Sequence, residues 1–98
     1  MPPLKYTPEA QRDIHRAWRF LAAHDTHVAQ RAIQTIRAAL RLLATHPEAG
    51  RPTNGHGLAF REWVIDFGNS GYIALYHFDA HEVLFLAVRH QRECGYTK

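Results

Sequence analysis

The residues best suited to chemistry crowd at one end of this chain. Val88 to Lys98 reads V-R-H-Q-R-E-C-G-Y-T-K, so Arg89, His90, Gln91, Arg92 and Glu93 follow directly on an apolar run. Cutting RNA through its own 2′-hydroxyl needs one group to take that proton, another to protonate the leaving oxygen, and a cation where charge builds on the phosphate. An imidazole titrates near neutrality and suits either proton role, and His90 supplies one. Arg61, Arg89 and Arg92 would hold the phosphate, and Tyr96 or Glu93 would carry the second proton. Alternation counts against the scheme: neighbours on a strand point to opposite faces, so Arg89 and His90 share a site only if the strand breaks there. The plainer reading makes His90 a partly buried strand-end histidine bonded to backbone. Arg61 and Arg89 would then answer nearby acids such as Glu62 or Glu93.

Other polar clusters carry less. His24 with His27, and His77 with His81, lack the third and fourth ligands that zinc requires, so no metal and no cofactor is expected. Arg12, Arg16 and Arg19, then Arg31, Arg37 and Arg41, read as the wet faces of helices with their stems lying over apolar neighbours. No recognition-helix context accompanies them, so direct reading of DNA is not expected. N-G-H-G at 54 to 57 precedes no helix and cannot cradle a phosphate.

Ninety-eight residues, 46% of them hydrophobic and 11% aromatic, suffice for one folded domain with one core. Twelve basic residues stand against nine acidic ones, for a formal charge of +3, and the basic set is almost all arginine. Guanidinium groups bind planar anions in a fork, which favours carboxylate or phosphate partners. The single cysteine, Cys94, excludes an internal disulfide and fits a reducing compartment. M-P-P-L-K-Y-T-P lacks the apolar core of a signal peptide, and no apolar run is long enough to span a membrane. A cytoplasmic protein is expected.

The elements that must position these residues follow from period and punctuation. Leu4-Lys5-Tyr6 predicts a short strand, and Thr7 caps a helix that opens on Pro8 and ends near His24. Its apolar positions are Ile14, Ala17, Trp18 and Leu21. Asp25 or Thr26 caps a second helix with a stripe at Ala29, Ile33, Ile36, Leu40 and Leu43, and Pro47 stops it. So short a linker forces an antiparallel helical hairpin. Residues 47 to 58, with three Gly and two Pro, predict a loop without regular structure. Strands are predicted over 59–67, 72–78 and 83–90, joined by Gly68-Asn69-Ser70-Gly71 and Asp79-Ala80-His81. The sum is an α+β fold: a short N-terminal strand, then a helical hairpin packed on an antiparallel sheet of three to four strands.

This order resembles the RelE/ParE superfamily of bacterial toxin-antitoxin modules. The likeness is carried by A-T-H-P-E-A-G-R-P after the second helix, F-R-E-W-V-I-D-F-G-N-S-G-Y-I-A-L-Y across the first hairpin, and V-R-H-Q-R-E-C-G-Y at the end. It covers nearly the whole chain and is closer to the ParE side. The resemblance implies a small cytoplasmic toxin held inactive by an antitoxin, ParD-like or related, encoded beside it. ParE-like members imply DNA gyrase as the target and action by binding, whereas RelE-like members cut messenger RNA on the ribosome. The RelE-like nucleases carry catalytic side chains on a C-terminal helix, for which Gln91 to Lys98, interrupted by Gly95, are too short. A third reading is an inactive module that keeps only antitoxin binding.

The sheet face away from the hairpin is expected to hold several of Phe60, Val64, Tyr72, Tyr76, Phe78 and Phe85, and so to offer a docking surface. An acidic amphipathic antitoxin tail would wrap hairpin and sheet, with Arg61, Trp63 and Arg89 near its contacts. Those three, together with His90, Gln91, Arg92 and Tyr96, make up the expected binding set for target or antitoxin.

Overall fold

A computed structural model describes residues 3–53 and 60–91. The element order is β1 (Leu4–Tyr6), α1 (Pro8–Ala22), α2 (Thr26–Leu42), a 3-10 turn (Pro47–Ala49), β2 (Arg51–Pro52), β3 (Phe60–Phe67), β4 (Ser70–Phe78) and β5 (Val83–His90). The five strands form one sheet in the order β1-β5-β4-β3-β2, antiparallel throughout except for the parallel pair β1 and β5. The hairpin covers one sheet face, as expected. Residue 59, counted into the first long strand from sequence, lies outside the described residues.

The helix starts are made as the sequence implies. Thr7 Oγ1 accepts from the Ala10 amide at 3.1 Å and donates to the Phe85 carbonyl at 3.0 Å, so one hydroxyl both caps α1 and ties it to β5. Asp25 Oδ1 accepts from His27 and Val28 at 2.8 and 3.3 Å and caps α2. Such caps are worth about 1 kcal/mol each. Only three residues separate the helices, so they pack against each other and present Ala10, Ile14, Ile36, Leu40 and Leu43 to the sheet. Opposite them lie Ile65, Tyr72, Ala74, Tyr76, Val83, Phe85 and Val88.

Three expectations need correction. The sheet has five strands, because Arg51 and Pro52 pair with Glu62 and Arg61. A two-residue strand inside a Pro/Gly-rich stretch has no periodicity to reveal it, and proline is tolerated there because the strand is an edge. For the same reason residues 47 to 53 are not the structureless loop that their composition suggests. Third, Tyr72, Tyr76 and Phe85 are 5, 0 and 0% exposed and face the hairpin. Strands that are apolar on both sides do not announce which side goes in, and here the largest rings fill the space beneath the helices. Phe78 also packs against that core, which leaves Val64, at 40% exposure, and half-buried Phe60 from the expected set on the open side.

The register slips once. Leu75 pairs with Ala87 but Tyr76 pairs with Phe85, which leaves Leu86 as the extra residue of a β-bulge in β5. A second local device is Tyr76, whose hydroxyl donates to the Pro47 carbonyl at 2.6 Å and accepts from the Gly50 amide at 3.0 Å. It thereby fastens the turn after α2 to the centre of the sheet. Gly50 has to be glycine here, since a Cβ at that position would sit 2.6 Å from the Tyr76 hydroxyl and 2.7 Å from the Glu62 carbonyl.

Burial pushes the Tyr76 hydroxyl above its ordinary pKa of 10.0, against smaller opposing effects of the Gly50 amide and Arg61. The unfolded chain therefore loses this proton first. The stability contributed by the neutral ring is complete below the unfolded value and drains away as pH climbs toward the folded one. Tyr76→Phe is expected to cost roughly 1 to 3 kcal/mol at neutral pH, because it strands the Gly50 amide, and to flatten the loss of stability at alkaline pH. Urea unfolding at neutral pH and at a pH above 10.0 measures both effects.

Candidate functional site

Strand β1 ends opposite Phe85, so the outer edge of β5 beyond that point has no neighbouring strand among the described residues. The carboxylate of Asp13, projecting from α1, takes its place. Asp13 Oδ2 accepts from the Val88 amide at 3.0 Å and from Arg89 Nε at 3.2 Å, while Oδ1 accepts from Arg16 Nη1 at 3.1 Å. The carboxylate is 6% exposed although both arginines are half exposed, so one buried anion holds two cations at the surface. A charge this buried is tolerable only with such partners. Arg89 thus answers an acid, as the plainer sequence reading held, but the acid is Asp13, not Glu93.

His90 lies in the row Ile65, Tyr72, His90, one step along from Arg89 and on the opposite face. Its Nε2 is 2.9 Å from Ser70 Oγ, and its ring meets Tyr72 edge-on at 5.3 Å between centroids. One partner of His90 is therefore the side chain of Ser70, the first residue of β4. Gln91 continues the ladder through its amide, which donates to the Gly71 carbonyl at 2.9 Å.

Arg61 and Trp63 sit elsewhere and have internal partners. Arg61 Nη1 donates to the carbonyls of Glu48 and Gly50 at 3.1 and 2.7 Å, and the guanidinium lies 5.6 Å from the centre of the Phe78 ring. The expected answer of Arg61 to Glu62 is not found, because Arg51 Nε meets Glu62 Oε1 at 3.2 Å. Trp63 Nε1 donates to the Ala39 carbonyl at 3.0 Å and joins β3 to α2. Row Arg61, Tyr76 is separated from row Tyr72, His90 by four residues of β4, a span of about 13 Å. Arg61, Arg89 and His90 are accordingly not gathered around one phosphate-sized space. Arg92, Glu93 and Tyr96 lie outside the described residues.

Sequence reasoning missed Asp13. A signal was present: it stands three residues after Ala10 and four before Ala17, inside the buried stripe of α1, where an acid must find partners or be excluded. Trp18 went the other way, since it was counted into that stripe yet is 37% exposed.

A helical hairpin over one face of a small, mostly antiparallel sheet is also the fold of a chain in the structure of the chromosomal ParDE toxin-antitoxin system of P. aeruginosa. The two superpose with a TM-score of 0.77 at 20% identity, over 92% of this chain and 96% of that one. A conserved hypothetical protein of Helicobacter pylori shares it at a TM-score of 0.56 and 20% identity, over 94% and 97% of the respective chains. The sequence is 30% identical over 93 residues to "Toxin RelE3" of Caulobacter vibrioides, spanning 95% of this chain and 98% of that protein. Residues 4–94 match the family described as the ParE toxin of the type II toxin-antitoxin system, parDE. This chain belongs to the ParE family of type II toxins.

Asp13→Ala is expected to destabilise the fold by roughly 2 to 3 kcal/mol, because it leaves the buried Val88 amide without an acceptor. Asp13→Asn keeps an acceptor and should lose about half as much. Denaturant midpoints of the two variants against the parent check this order.

Proposed function

We propose that this toxin inhibits growth by binding, with no bond-making chemistry of its own, that its target is DNA gyrase, and that it works as one domain in the cytoplasm. An antitoxin encoded beside it, ParD-like or related, neutralises it. Membership of the ParE family supports the class. No helix among the described residues is long and apolar enough to cross a membrane, which agrees with that location. The observation that carries the binding reading is the scattering of the candidate nuclease groups. Arg61 is committed to the Glu48 and Gly50 carbonyls, Arg89 to Asp13, and His90 to Ser70 on the other face. In this reading Arg89, His90 and Gln91 form a cationic strand end that meets the target, and Arg92 and Tyr96 belong to the same binding set. Arg61 and Trp63 shape the fold around it and contribute only their exposed edges.

A second reading is kept because a relative carries the name RelE3. Under it the chain is a ribosome-dependent messenger RNA endoribonuclease that uses His90 with Arg61, Arg89 and Arg92. Catalysis would then require the ribosome to bring these groups together.

Two assays separate the readings. Purified toxin added to a gyrase supercoiling reaction is expected to inhibit it, and the same protein in a translating ribosome reaction is expected to leave the message intact by primer extension. Arg89→Glu should weaken gyrase inhibition at least roughly tenfold, as loss of a central cationic contact does. Message cleavage without gyrase inhibition would reverse the assignment. If that cleavage were unaffected by His90→Gln, His90 would have no part in it.

A further inference from the structure

The sheet face away from the hairpin carries its own complement. Strand register sets out three cross-strand rows on it: Phe60, His77 and Leu84; Glu62, Leu75 and Ala87; Val64, Ile73 and Arg89. Asp66 extends the β3 side by one more step, opposite Gly71. None of these side chains belongs to the core beneath the helices. Ile73, Leu75 and Ala87, flanked by Val64, make the centre of the face apolar, whereas β3 adds the acids Glu62 and Asp66 and β5 adds the base Arg89.

Most charges around this face are answered within the chain. Glu62 meets Arg51 at 3.2 Å, and Lys5, beside Leu84, meets Glu82 at 3.8 Å. Asp66 is different: it is exposed and makes no ion pair or side-chain hydrogen bond among the described residues. Arg89 gives its Nε to Asp13 while its side chain stays 51% exposed, so its two Nη groups remain available for a second carboxylate. Two strand spacings and one same-face step, about 12 Å, lie between Asp66 and Arg89, and the two make no pair within one chain.

A partner of one charge sign finds attraction on one side of such a face and repulsion on the other: an acidic helix or a phosphate backbone would meet Asp66 as well as Arg89. A second copy of the chain meets no such conflict. A half-turn about an axis along β4 exchanges the β3 and β5 sides, so that Ile73 and Leu75 lie against their own counterparts and Val64 lies against the stem of Arg89. Each Asp66 then comes within reach of the second copy's guanidinium. We infer that this face associates with itself, as a two-fold dimer of stacked sheets about 10 Å apart that is closed by two reciprocal pairs of Asp66 with Arg89. Strands β3 to β5 offer about 27 Å by 15 Å, or roughly 400 Å² per copy, which is half of a standard interface and makes the dimer weak and reversible, in the micromolar range. Arg89 cannot meet the target while it meets Asp66 of a second copy. On the function proposed above, the dimer is therefore a form withheld from that target.

The test is sedimentation velocity of the purified toxin from about 5 to 500 µM, with folding of every variant checked by circular dichroism. The parent is expected to pass from monomer to dimer over this range, and to associate less as salt is raised. Asp66→Arg, at an exposed position, should weaken association at least about tenfold, as should Arg89→Glu, whereas Arg31→Glu on the hairpin should stay within about threefold. Mixed in equal amounts, the two weakened variants should associate with each other about as well as the parent does with itself, because both pairs then join opposite charges. Asp66→Arg decides alone if Arg89→Glu, which also faces Asp13, does not fold. A parent that stays monomeric throughout would overturn the inference, and so would a dimer that Asp66→Arg leaves within about threefold of the parent; either outcome leaves the toxin reading intact. At about 0.1 µM, where the parent is monomeric, Asp66→Arg should inhibit gyrase as the parent does. Lost inhibition at that concentration with self-association unchanged would instead give the face to the target.

Discussion

One carboxylate decides whether the sheet of this protein is finished. Strand β5 is more than twice as long as the partner that β1 offers it, and an edge left open would expose an unpaired Val88 amide beside an apolar core. Asp13 closes that edge from the neighbouring helix and spends its remaining capacity on Arg16 and Arg89. The orientation of α1, the termination of the sheet and the display of the cationic strand end therefore share a single buried acceptor. The Thr7 hydroxyl reinforces it from the other end of the same strand by bonding Phe85. Between these two fasteners α1 has little freedom to move relative to β5, and whatever binds the strand end meets a preorganised surface.

Much of this architecture was legible from spacing. The caps at Thr7 and Asp25, the hairpin and the three long strands fall where period and punctuation put them, because each is a local choice with a local signature, except that β4 begins at Ser70, inside the turn expected over Gly68 to Gly71. What sequence could not supply was decided over distance. Strand β2 exists because Glu62 and Arg61 lie opposite it, not because Arg51 and Pro52 favour extension. Tyr72, Tyr76 and Phe85 turned inward because the space under the hairpin requires large rings, and alternation in an all-apolar strand is silent about that.

At the site the balance was poorer. The opposition of Arg89 and His90 followed from strand geometry alone, but their partners did not. Asp13 and Ser70 are each remote in sequence from the groups that they hold. Arg61 and Trp63 drew attention as an exposed cation and a large aromatic, whereas each is tied to backbone carbonyls of its own chain. Conversely, Trp18 and Arg37 looked like ordinary members of a buried stripe and a solvated face, and only the crossing of the helices shows them meeting across a groove. Chemistry-bearing residue types are visible in a sequence, but their availability is a property of the packed molecule.

The extra residue at Leu86 governs which of these groups reach solvent. Before it, Val83 and Phe85 turn toward the helices; after it, Val88 and His90 do, and Arg89 turns away. Were Leu86 to pair with Leu75 and the strand to run on without the bulge, every later residue would change sides, driving the guanidinium inward and the valine out. The presence of a one-residue bulge thus selects the inward and outward sets of the terminal strand without altering any side chain. Backbone pairing at this point is as much a determinant of surface identity as composition.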